Sequence, residues 1–71
     1  MVVTPAQVQK VLAGNHTFKQ LGFSMLLMRL KTLYSKNHSP STLQICVDEI
    51  NAFLKKYEAI MSADYAVFSN I

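Results

Sequence analysis

Between Phe23 and Tyr34 the chain reads FSMLLMRLKTLY, with eight apolar side chains in 12 positions and nothing that breaks a helix. A helix lying on one core needs a single apolar stripe. At about 100° per residue this segment instead carries two. Phe18, Leu21, Met25 and Met28 fall on one side and Phe23, Leu27, Leu30 and Tyr34 on the other, with Leu26 and Leu33 between them. Such a helix must be central. One side is expected to meet the following helix and the other an earlier helix or a second chain.

The flanking segments supply the neighbours. Upstream, TPAQ at positions 4 to 7 combines an N-cap threonine, a proline at the first helical position and a glutamine three residues after the cap, the pattern of a capping box. Val8, Val11 and Leu12 then share a face, and Gly14 with Asn15 is the expected stop, both residues tolerating left-handed backbone angles. TFKQ at 17 to 20 offers a second start signal, and NHSP at 37 to 40 a loop. After Ser41, apolar residues recur as Leu43, Cys46, Val47, Ile50, Phe53, Leu54, Tyr57, Ile60 and Met61, a helical stripe. Gln44, Asp48, Asn51, Lys55, Glu58 and Ser62 form its polar side. The expectation is an all-α single domain over residues 1 to 71, a small bundle of three helices at about 5–13, 18–36 and 41–61. Tyr65 and Phe68 extend the spacing into a short C-terminal helical turn. Strand signals are too few for a sheet.

A chain this short buries little surface, and 51% hydrophobic against 15% charged residues is more than a lone small domain easily hides. A protein partner helix or a homodimer is therefore expected, through Phe23, Met25, Leu26, Leu27, Leu30 and Tyr34. The longest apolar stretch, Phe18 to Tyr34, is interrupted by Lys19, Arg29 and Lys31, whereas a membrane span needs about 20 mostly apolar residues. With one cysteine and no leader pattern near Met1, a cytoplasmic setting is expected. The net charge of +3 is unevenly placed: residues 1 to 47 hold Lys10, Lys19, Arg29, Lys31 and Lys36 and no acid, while Asp48, Glu49, Glu58 and Asp64 all follow. Arg29 and Lys31 are expected beside Asp48 and Glu49 in an antiparallel hairpin.

Chemistry-bearing residues are sparse. His16 and His38 flank the central helix and stand about 27 Å apart, too far to share a metal. Cys46 lies on an apolar stripe and reads as packing. Asp48 and Glu49 diverge around a helix and read as solvated. No nucleophile, base and oxyanion donor can be assembled, so neither an enzyme nor a resident cofactor is expected. A helix, short turn and helix between Pro5 and Tyr34 superficially suit a small DNA-binding protein, but the second helix lacks the polar face that a major groove requires.

The segment FKQLGFSMLLMRL, residues 18 to 30, resembles the second-helix region of acyl and peptidyl carrier proteins of polyketide and nonribosomal peptide assembly lines. Phe18, Leu21, Gly22, Ser24, Met28, Arg29 and Leu30 match with one residue fewer before the serine, and Phe23 stands where that family has Asp or His. The resemblance implies a 4′-phosphopantetheine arm on Ser24 and a docking surface for partner enzymes at Ser24, Met25 and Leu26. The function expected is a non-catalytic docking or dimerisation module, of the kind a multi-enzyme assembly line uses, with a carrier domain modified on Ser24 as the alternative.

Overall fold

The computed structural model describes residues 1–70 and is all-helical: α1 (Pro5–Ala13), α2 (Leu21–Lys36), α3 (Pro40–Lys56), a single 3-10 turn (Glu58–Ile60) and α4 (Ser62–Ser69). The bundle thus has four helices rather than three. Local chemistry sets the starts of α1 and α3. The Thr4 hydroxyl accepts the Gln7 amide at 3.3 Å while Gln7 Oε1 accepts the Thr4 amide at 2.9 Å, closing the capping box ahead of Pro5. At α3 the cap is Ser39, whose hydroxyl accepts the Thr42 amide at 3.2 Å, so the helix opens at Pro40.

α1 and α2 end where the sequence places them, at Ala13 and Lys36, but the α1 cap geometry and the remaining boundaries differ. α1 ends at Gly14 in extended geometry (φ −109°), not through a left-handed cap. A Cβ at Gly14 would come within 2.8 Å of the exposed His16 imidazole, which would have to swing aside. α2 begins at Leu21, not near residue 18, because Gln20 is extended and the Asp64 carboxylate accepts the Lys19 and Gln20 amides at 2.6 and 2.8 Å. α3 stops at Lys56 rather than residue 61. The turn at 58–60 redirects the chain into α4, and Met61 and Phe68 are both fully buried. Tyr57 and Ile60, expected on the buried stripe, are left exposed as a result.

The core unites all four helices with the N-terminal segment. Phe23 is its centre, with ring centroids of Phe18, Phe53 and Phe68 at 5.1, 5.3 and 6.0 Å, distances at which aromatic pairs attract beyond their area burial. Leu27, Leu30, Val8, Ile50, Leu54 and Met61 pack around it. Buried Val3 is held by Asn51, which accepts its N–H at 2.8 Å and donates to its carbonyl at 3.2 Å, much as a neighbouring β-strand would. Asn51 is therefore a tether and not part of a water-facing side.

α2 and α3 run antiparallel, with Arg29 and Glu49 paired at 3.0 Å. Lys31 and Asp48 do not join them. Lys31 Nζ donates to the Gly14 carbonyl at 2.8 Å, and Asp48 accepts from Gln44 at 2.9 Å. The exposed Arg29–Glu49 pair contributes little stability in water. Burial does most of the holding.

Candidate interaction face on α2

α2 presents to solvent the side opposite Phe23. Residues four and then three apart lie along one face of a helix, so Leu21, Met25 and Met28 form a continuous ridge, each at least 62% exposed. Thr32 and Lys36 prolong it toward the C-terminus of α2. One helical turn from the Arg29–Glu49 pair, toward the α2–α3 loop, Leu33 and Ile45 add further exposed apolar surface. Scattered surface apolar residues are ordinary, whereas a contiguous ridge marks an interaction surface. Two of its three members are methionines, whose unbranched, polarizable side chains adapt to varied partners.

A groove of about 240 Å³ runs along one flank of the ridge, between α2 and the loop after α1. Val11, Leu12 and Leu27 supply apolar lining, Met28 is shared with the ridge, and Lys31 places a cation on the rim. Ser24 also lines this groove. It is half-buried, donates its hydroxyl to the Phe18 carbonyl at 3.3 Å, and lies in the fourth helical position with its own amide bonded to Gln20. The helix terminus itself is capped by Gln20, whose side chain accepts the Gly22 amide at 2.7 Å.

The six residues expected to face a partner separate cleanly. Phe23, Leu27 and Leu30 are interior to this chain and form no external surface; α1, α3 and, over Phe23, Phe68 of α4 supply the cover that the sequence expectation assigned in part to a second chain. Tyr34 and Leu26 are half-buried, the Tyr34 hydroxyl accepting from Gln9 at 3.3 Å and its ring meeting His38 at 4.7 Å. Met25 alone of the six is on the ridge, and Leu21 and Met28 join it. A signal for this was present. Around α2, Thr32, Lys36, Arg29 and Ser35 fall within about 70° of Met25 or Met28, whereas no polar residue falls among Phe23, Leu27, Leu30 and Tyr34.

Among the described residues no group of three or more His, Cys, Asp or Glu could hold a metal, and every buried side-chain nitrogen or oxygen has a hydrogen-bond partner. No helix is long and apolar enough to cross a membrane among those residues. Cys46 is fully buried, its thiol directed to the Leu30 carbonyl at 4.0 Å. Burial first, and the nearby Glu49 charge second, push this thiol above its ordinary range. The native protein should therefore resist a thiol reagent at neutral pH and react only on unfolding. The folded state also holds the thiol proton to higher pH than the unfolded chain does, so this contribution to stability is intact below about pH 8.5 and declines as pH rises through the folded value. Urea midpoints at successive pH values should show that decline in wild type and a shallower one in Cys46→Ala; parallel curves would mean that the thiol is not shielded.

Comparison with family models, with curated proteins and with solved structures finds no match for this chain.

Proposed function

We propose that this protein is a non-catalytic helical interaction module whose contact face is the Leu21–Met25–Met28 ridge of α2. One observation carries the reading: a helix that already buries its inner face completely in its own chain keeps a second apolar face in water. Burying such side chains against a partner is worth about 1.5–3 kcal/mol each when complete, enough to decide an assembly. A carrier arm on Ser24 is less well supported, because that hydroxyl is half-buried, engaged with the Phe18 carbonyl and set one turn inside the helix.

A photo-reactive phenylalanine derivative placed at Met25 should give a covalent adduct with a discrete protein or with a second copy in cells, and the same residue at exposed Lys10 on α1 should not. Folding should be unaffected, since Met25 contributes nothing to the core. Equal labelling from both positions, or none from Met25, would remove the ridge as an interface.

A further inference from the structure

Resting on that reading of α2 as the contact face, we infer that its occupant is an acidic amphipathic helix from another protein. Its apolar side would lie on Leu21, Met25 and Met28, and its carboxylates would meet the cations on both flanks. Charge complementarity selects this occupant. Residues 1 to 47, which build α1, the loop and all of α2, contain no Asp or Glu. Around α2, Arg29 and Lys36 stand on the Met25 flank of the ridge and Lys31 on the Met28 flank, beside the groove. The chain's acids leave two of these three cations unanswered: Asp64 is buried against main-chain amides and Glu49 pairs with Arg29, so Lys36 on one flank and Lys31 on the other carry the free charge of this face.

A second copy fits less well. Ridge against ridge would bring Lys31 and Lys36 of one copy against the same cations of the other. Of the remaining acids, Asp48 on α3 accepts from Gln44, and Glu58 in the following turn comes just after Lys55 and Lys56, so the two offer no acidic face in return. A nucleic-acid backbone would satisfy the cations but leave three exposed apolar side chains without a partner. The groove beside Met28 suits an apolar anchor of the incoming helix, of the kind that dominates helix-in-groove recognition.

The test uses two helix-stabilised 18-residue peptides with leucines at i, i+3, i+4 and i+7, identical except that glutamates flank the apolar stripe in one and lysines in the other. The glutamate peptide should bind at least about tenfold more tightly at low salt, a preference that shrinks as salt screens the flanks, and should shift the amide resonances of Leu21, Met25 and Met28. Met25→Ser/Met28→Ser should abolish binding of both peptides, and Lys31→Glu/Lys36→Glu should reverse the preference, with helical circular dichroism confirming that both variants fold. Equal or stronger binding of the lysine peptide overturns the inference. So does a ridge that ignores both peptides but takes up duplex DNA or vesicles of phosphatidylcholine with phosphatidylglycerol. If the photo-adduct at Met25 forms with a second copy or a basic protein, the interface stands and the acidic partner falls; if no adduct forms, both fall.

Discussion

Phe23→Ala is expected to leave the chain at the edge of unfolding. The ring is fully buried and meets three other aromatic rings contributed by the α1–α2 loop, α3 and α4. Removing it deletes the contact that joins these elements and leaves a cavity that helices fixed by their caps cannot collapse into. Truncations of this kind cost about 3–5 kcal/mol. A domain of 71 residues has only about 4–11 kcal/mol in total, at roughly 0.05–0.15 kcal/mol per residue. In urea, followed by circular dichroism, the variant should show a midpoint close to zero denaturant or no folded baseline. Met25→Ala, two residues along the same helix, should shift the midpoint by no more than about 0.5 kcal/mol. The contrast is the informative part. Comparable losses in the two variants would mean that α2 is rotated relative to this structure, and with it the ridge.

Asp64→Ala should cost about 2–3 kcal/mol, large for one polar residue in so small a protein. This carboxylate sits in the first turn of α4, is almost wholly buried, and accepts the Lys19 and Gln20 amides just before α2. Deletion removes two charge-assisted bonds and leaves two amides without acceptors. Asn is no remedy, since its NH2 group would meet one of those amides donor to donor. The loss should be local as well as global: hydrogen exchange at Lys19 and Gln20 should accelerate more than exchange at Leu30 or Ile50. Unchanged protection of the two amides in Asp64→Ala would show that something else fixes the entry to α2.

The same two residues separate what could be read along the chain from what could not. Phe23 was legible as apolar and helical, but its direction was not, because α2 has apolar residues on both sides and the α4 residue that closes over it lies 45 positions away in sequence. The polar residues of α2 held the missing cue, legible only when the whole helix is plotted with the side chains that want water. Asp64 carried no sequence signal at all. Nothing about an acid in a short C-terminal helix announces a contact with amides 44 and 45 positions earlier. Asn51 is similar: its place among polar neighbours on α3 suggested water, and only the return of the N-terminal strand of chain to that spot makes it a tether.

The ridge illustrates the same limit from the functional side. Met25 was among the expected partner-facing residues, and Ser24, Met25 and Leu26 were drawn from a sequence resemblance that treats three consecutive positions as one surface. On a real helix those three diverge by about 100° at each step. Ser24 enters the groove, Leu26 leans to the core margin, and Met25 alone stays outward with Leu21 and Met28.

By itself the sequence determined the all-helical class, the capping box at Thr4, the burial of Cys46 and the acid-free character of the first two thirds of the chain. These are properties of composition and of neighbours three or four residues apart, and local hydrogen bonds and side-chain periodicity suffice for them. Tertiary structure decided where α3 ends, and what Asp64 and Asn51 are for. The roles of Asp64 and Asn51 depend on groups brought together across more than 40 residues, where the energy comes from the desolvation and pairing that only the assembled core provides.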